Sequence, residues 1–394
     1  MKLTLRQQLT QFAQVLQSQL FPALEQAAGE LDDTARRLIA VLEMIPLARY
    51  VPASRGWIGR PCKDRYALAC AFVAKAVYGY PLTRQLLERL QQDPQLRRIC
   101  GWEFAHQVPH ESTFSRAFAE FAEMELPQFV HEALIANTQK DRLIGHIARD
   151  STAIEAREHF PATVVKAPAG KSEPAAARKR GRPKGQRGPH RRHKGGKPRY
   201  TPKTDTRLHR QGHWSLKEML ADLPRNCSIG VKTRDGNQQY WRGYKLHLDV
   251  ADGQIPISAI LTSASLHDSQ AAIPLAAMTA QRVTSLYDLM DAAYDATEIR
   301  NYSRKLGHVP IIRPVKRKRK RILFSPAPSY AAAEMTWAEE DRFRERTMVE
   351  RVYARLKDEF GGRGIRVRGA RKIMAHLMFG VLALTADQLM KLVS

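Results

Sequence analysis

A chain of 394 residues is longer than one small core usually serves, and 43% hydrophobic residues exclude a disordered polymer. Lys and Arg number 64 against 39 acids, a net charge of +25, which points to a polyanionic partner, nucleic acid first. Cys62, Cys70, Cys100 and Cys227 show no CxxC spacing, so neither a zinc site nor a disulfide framework is supported, and reduced thiols in a cytoplasmic protein are the expectation.

The opening stretch "MKLTLRQQLTQFAQVL" is interrupted by polar residues and lacks the apolar centre of a signal peptide. From residue 1 to about 138 the chain reads as an all-α domain: "DRYALACAFVAKAVYGY" and "TRQLLERLQQDPQLRRICGW" carry apolar residues at three- and four-residue intervals, punctuated by Pro and Gly. In "VPHESTFSRAFAEFAEM", Pro109 and His110 lead into a helix whose polar face bears Ser112, Thr113, Ser115 and Arg116. A helix of this kind suits DNA docking, with Arg116 as a contact, and is equally common in plain helical bundles.

Residues 139–394 carry the strand signals. "RLIGHIARD" is a strand ending at Asp150, and "YWRGYKLHLDVADGQIPISAILTS" reads as a hairpin turned at Asp252 and Gly253. A helix around "SQAAIPLAAMTAQRV", a strand in "SLYDLMD", a helix in "TEIRNYSRKLG", a strand in "VPIIRP" and one long helix from about Trp337 to Phe360 follow. Alternation of this sort argues an α/β layer with a mixed five-stranded sheet and flanking helices.

Two basic stretches interrupt it. Between Lys166 and Arg199 stand 13 Lys/Arg and one Glu amid Gly and Pro, so a flexible insertion is expected at about 160–225. Within it Arg180-Gly181-Arg182-Pro183 resembles an AT-hook core, although a phosphate-binding arm is the favoured reading of Arg180 and Arg182. "VKRKRKR" (315–321) is expected to be a loop whose Lys316 and Arg317 hold phosphates, the alternative being a surface loop balanced by Glu339 and Glu340. The apolar run at 373–393 carries His376, Asp387, Gln388 and Lys391, and so reads as a buried helix in place of a membrane span.

Three acids could meet in this topology: Asp150 after the first strand, Asp291 after "SLYDLM", and Glu350 on the long helix. Hard carboxylate oxygens are what Mg²⁺ or Mn²⁺ requires, and two such ions about 4 Å apart suit displacement at phosphorus. Asp288 and Asp295 compete with Asp291. At about 100° per residue, Phe343, Arg346, Glu350 and Lys357 form one stripe bordering the apolar arc of Val349, Val352, Tyr353, Leu356 and Phe360. Taken alone, Arg346 and Glu350 are an i,i+4 ion pair.

With these motifs the chain resembles the Asp-Asp-Glu (DDE) transposases of bacterial insertion sequences, in particular the group with a Tyr-Arg-Glu-Lys signature. That signature has Arg three residues after Tyr, Glu four further and Lys seven further, places held here by Phe343, Arg346, Glu350 and Lys357. "RDSTAIEA" is similar to the first-aspartate segment, "GYKLHLDVADGQIPISAILTSASLHDSQ" to the second and third strands with the trailing His267-Asp268-Ser269, and "MDAAYDA" to the second-aspartate segment. "PHESTFSRAF" is similar to the helical domain that often precedes the core, so the likeness runs from about 60 to 390, the insertion excepted.

The resemblance implies an RNase H-like catalytic core and metal-dependent DNA cleavage and strand transfer. It implies two Mg²⁺ or Mn²⁺ ions on Asp150, Asp291 and Glu350, DNA phosphates on Arg346 and Lys357, and a homodimer pairing two transposon ends. Phe343 lacks the hydroxyl of a Tyr, so that phosphate contact should be absent or replaced by Tyr353, and Ala293 stands where Gly is common. The rival readings are a non-catalytic DNA-binding derivative and a nuclease without strand transfer.

Overall fold

The computed structural model describes residues 3–51, 63–158, 206–234, 237–314 and 335–393. The chain opens with α1 (Leu5–Val15), which runs through a π turn into α2 (Phe21–Ala28), then α3 (Asp33–Met44), α4 (Arg65–Val77), α5 (Thr83–Gln92), α6 (Pro94–Ile99), α7 (Glu111–Glu123) and α8 (Leu126–Gln139). After β1 (Leu143–Glu155) come α9 (Arg207–Gln211), α10 (Leu216–Asp222), β2 (Ser228–Arg234), β3 (Asn237–Ala251) and β4 (Ile255–Ser263). Next are α11 (Ser269–Ala280), β5 (Thr284–Met290), α12 (Thr297–Lys305) and β6 (Val309–Ile312). The last helices are α13 (Trp337–Arg344), α14 (Thr347–Asp358) and α15 (Ala370–Lys391).

Local chemistry sets the helix starts. Thr4 and Gln7 close a capping box on α1, Asp32 and Asp64 accept first-turn N–H groups of α3 and α4, and His110 Nδ1 accepts the Ser112 N–H at α7. Every residue of α4 from Ala67 to Val77 is buried, and its alanines let neighbouring helices approach closely. Phe72 of α4 meets Phe114, Phe118 and Phe121 of α7 and Phe379 of α15 at centroid distances of 5.0 to 6.1 Å.

α15 belongs to both halves of the molecule. It packs against α3, α4, α7 and α8 as well as β4, so one hydrophobic core runs without a break from the helical part to the sheet. Its most apolar window is 83% buried inside the protein. Gly380 lets it close on α14, for a Cβ there would stand 2.7 Å from the Phe360 carbonyl oxygen.

The sheet is mixed, with β4-β3-β1-β5-β6 as its spine: β3 is antiparallel to β1 and β4, while β5 and β6 run parallel to β1. Six strands replace the expected five, because β3 is longer than its neighbours. Its first half, beyond Gly243, is paired by β2 from Ser228↔Gly243 to Arg234↔Asn237, which satisfies backbone groups that β1 and β4 do not reach. The expected flexible insertion is also too long at its C-terminal side. Residues 207–222 form α9 and α10, with Leu208, Trp214, Leu216 and Met219 packed beside Ala272, Ile273 and Met290, and Arg207 paired with Asp222 at 2.6 Å. Residues 159–205, with Arg180 and Arg182, and the 315–321 stretch up to Arg321, with Lys316 and Arg317, lie outside the described residues.

Candidate active site

β1 and β5 pair in parallel from Leu143↔Thr284 to Arg149↔Met290, and there the pairing ends. The next residues are Asp150 and Asp291, so two carboxylates stand side by side where the strands part. Contrary to the sequence expectation, Asp150 does not end its strand. β1 continues to Glu155 because β3 stays paired with it as far as Glu155↔Gly243. Asp291 does end β5, and its carboxylate accepts the Ala293 N–H at 2.9 Å to start a 3₁₀ turn. Ala293 is accommodated there.

The expected single helix from Trp337 to Phe360 is two, α13 and α14, meeting at Glu345 and Arg346. Phe343 therefore does not share an unbroken stripe with Glu350. Its ring instead lies under the guanidinium groups of Arg313 and Arg346, 5.1 and 5.7 Å from the centroid.

α14 crosses β1 and β3 with its apolar face down, burying Val349, Val352, Tyr353 and Leu356. Arg346 at its start reaches Asp150 Oδ2 at 3.2 Å and Glu350 Oε1 at 2.5 Å, tying the first acid to the third. About three turns beyond Arg346, Lys357 Nζ donates to Thr152 Oγ1 at 2.6 Å, and Thr152 shares the β1 face of Asp150. Tyr353 is no phosphate ligand. Its buried hydroxyl donates to the Asp150 carbonyl at 2.7 Å and accepts the Leu248 N–H at 3.0 Å, which pins the backbone of Asp150 from within.

Asp150, Asp291 and Glu350 differ in environment. Asp150 and Asp291 are part-buried, and Glu350 is 54% exposed. Burial pushes the Asp150 carboxyl up to about 6, against the pull of the Ser151 N–H and Arg346 and helped by repulsion from Asp291 and Asp268. Asp291 is raised as well, again chiefly by burial. Two desolvated carboxylates that repel one another, with a third across a guanidinium, form a hard-oxygen donor set of the kind that suits a divalent cation. Arg346 supplies the positive charge in this arrangement. Among the described residues no three His, Cys, Asp or Glu side chains converge as an ion cage, so Glu350 would have to leave Arg346 to join the aspartates.

The two competing acids are engaged elsewhere. Asp288 is fully buried against His308 at 3.3 Å, and Asp295 pairs with Arg300 at 2.9 Å. An acid not singled out from the sequence stands closer to the site: Asp268, which raises both aspartates electrostatically, bonds Ser151 and pairs with Lys245 at 2.8 Å. Burial works to raise the Asp268 carboxyl, but His247 and Lys245 outweigh it and hold it below the usual range. The signal was legible in "SLHDSQ", where Asp268 stands between His267 and Ser269 just after the third strand. Of the other expected DNA contacts, Arg116 is exposed on α7 with its Nε donating to the Ser112 carbonyl at 3.3 Å.

Asp150→Asn removes a charge that burial disfavours. The folded-state value of about 6 exceeds the ordinary 3.8, so the penalty is full above about pH 6, shrinks as pH falls, and vanishes below about pH 4 where folded and unfolded chains both hold the proton. In metal-free buffer the variant is expected to exceed wild type by roughly 2 to 3 kcal/mol at about pH 8 and to equal it at about pH 3.5. Denaturant titrations at the two pH values read the gap; the same gap at both would show that charge is not its origin.

Residues 142–386, more than half of the chain, match the family model described as Transposase DDE domain, and residues 24–120 match a second described as Transposase domain (DUF772). No curated protein and no solved structure matches the chain.

Proposed function

Because the chain belongs to the DDE transposases of insertion sequences, we propose that it binds the ends of its element, cuts DNA there and joins the 3′-hydroxyl to a target. The fold is read as RNase H-like from the strand order, in which β3 alone separates β4 from β1 and the parallel β5 and β6 complete the sheet. The helical part to about residue 138 is assigned to DNA binding and residues 139–394 to catalysis. The cytoplasm, at chromosomal DNA, is the proposed location, and a homodimer holding two ends is the proposed working form.

The observation that carries this reading is the adjacency of Asp150 and Asp291 at the point where β1 and β5 part, with Arg346 linking Asp150 to Glu350. Asp150, Asp291 and Glu350 would hold two Mg²⁺ or Mn²⁺ ions, which supply charge stabilisation at phosphorus and ease deprotonation of the attacking water or 3′-hydroxyl. The chain's own residues do the positioning. Tyr353 fixes the main chain of Asp150, the turn at Ala293 fixes the Asp291 carboxylate, and Arg346 and Lys357 present cations on one side of α14 to the DNA backbone. With cations on the acids, Arg346 would be free of its carboxylate partners and would offer its guanidinium to a DNA phosphate.

The Arg346–Glu350 pair also favours a second reading, a DNA-binding derivative in which the guanidinium permanently replaces the ions. One assay separates the readings: purified protein, duplexes bearing the element's ends, Mg²⁺ or Mn²⁺, and a supercoiled target. Cleavage with joined product supports transposition, cleavage without it a nuclease, and end-binding without cleavage the derivative.

A further inference from the structure

The segment joining α14 to α15, "RGIRVRGARK" (363–372), holds five cations in ten residues and no acid. Arg363 is paired with Asp358 at 2.5 Å, and Arg371 with Glu123. Arg366, Arg368 and Lys372 are exposed and make no ion pair among the described residues. Their neighbours behave otherwise: Arg355 and Arg37 are both neutralised by Glu359 and Asp387.

These three cations line one side of a 450 Å³ cleft whose other side comes from the helical part, with Lys75 of α4, Thr83 of α5 and Ser115 of α7. Among the described residues that line it, Glu111 is the one acid. Next to the cleft the segment is held close to the helical part, since Gly364 lies against Pro81, where a Cβ would come within 2.7 Å of the proline ring. Lys75 is buried and its ammonium donates to a single acceptor, the Pro81 carbonyl at 3.2 Å, although it has three protons to place. α15 begins here at Gly369, whose own N–H is taken by the Glu158 carboxylate at 2.7 Å, so the cations of the segment and not the helix end carry the positive charge of the cleft.

We propose that this cleft is a second DNA-contact site, holding backbone phosphates of the same duplex whose scissile phosphate lies at Asp150 and Asp291. The proposal rests on the transposase reading and deepens it. α14 spans about 12 Å from Glu350 to its last residue, and the cationic segment follows almost at once. The cleft thus lies within roughly one duplex turn, ~34 Å, of the acids. Hydroxyls, a buried ammonium and unpaired guanidinium groups bind phosphate oxygens with no reference to base identity. Ser115 is on the helix whose polar face drew attention in the sequence, so α7 is assigned a share in backbone contact.

The test uses the full chain and labelled duplexes of about 40 base pairs, one bearing the element's end and one of random sequence, with affinity measured across a salt series. The triple variant Arg366→Gln, Arg368→Gln, Lys372→Gln is expected to bind both duplexes about tenfold or more weakly, with a log–log salt slope smaller by about 2 to 3. A control triple, Lys140→Gln, Lys217→Gln, Arg304→Gln, removes the same charge from exposed positions elsewhere and should leave the slope near that of wild type. If the cleft triple matches the control triple while wild type binds and cleaves the ends, the cleft assignment falls and the transposase reading stands. If wild type itself neither binds nor cleaves them, both fall. Should the triple not fold by circular dichroism, Arg366→Glu alone must reproduce the weakened binding, and unchanged affinity there overturns the assignment.

Discussion

Asp291→Asn is expected to lower metal-dependent cleavage of the element's ends by more than about a thousandfold, because under the proposed mechanism Asp291 would hold a metal ion and its loss would forfeit several kcal/mol of transition-state stabilisation. The fold should survive intact. An Asn oxygen can still accept the Ala293 N–H that starts the turn after β5, and the change removes a carboxyl that burial has raised. Binding to the ends should persist or tighten slightly, since a negative charge leaves a surface that faces phosphates. A cleavage assay beside a gel-shift titration reads both effects. Cleavage at near wild-type rate would exclude Asp291 and turn attention to Asp268, because Asp288 lies sealed beneath His308 and Asp295 is held by Arg300.

Arg149→Met is expected to destabilise the protein by about 3 to 5 kcal/mol, the usual result of removing one partner from a buried ion pair. Arg149 and Asp249 face each other across β1 and β3, 1% and 0% exposed, joined by two parallel bonds of 2.8 and 2.7 Å. Thr279 donates to the same carboxylate at 2.6 Å, so three donors serve its two oxygens. Burial pushes the Asp249 carboxyl up, and the guanidinium and Thr279 pull against it. Once Arg149 is gone, the carboxylate has one donor and no counter-charge. The double variant Arg149→Met, Asp249→Leu should regain most of the loss, since an apolar pair of similar volume leaves no orphaned charge. Equilibrium unfolding of the four proteins in the cycle checks this, and a single variant within about 1 kcal/mol of wild type would refute it.

Much of the α/β layer could be read in advance because its strands are short apolar runs bounded by turn residues. β4, β5 and β6 and the helices α11 and α12 fall within a few residues of their expected places, and β1 starts where expected but runs on past Asp150 to Glu155. β2 was not legible. "SIGVKTR" carries only two large apolar residues, Ile229 and Val231, both exposed, and its pairing depends on the unusual length of β3. α9 and α10 were hidden by adjacency to a charge-dense stretch, although Ser215 and Glu218 form a capping box that local pattern could have revealed. The positions of Asp150, Asp291 and Glu350 followed from pattern and resemblance. Their environments did not, because the exposure of Glu350, the bridge through Arg346 and the buried hydroxyl of Tyr353 depend on how α14 lies across the sheet. A break after Arg344 is invisible in a run of good helix formers.

The seat of α15 inside the N-terminal helices bears on biosynthesis. A ribosome has released the entire helical half long before this helix emerges, and until then α3, α4, α7 and α8 hold an apolar slot with nothing to fill it. Polypeptides cut short upstream of Ala370 would therefore be left with a collapsed, protease-sensitive front half. Under the proposed function, such products could not persist as inert competitors for the element's ends, and end-binding would be restricted to molecules that also carry the sheet and its three acids.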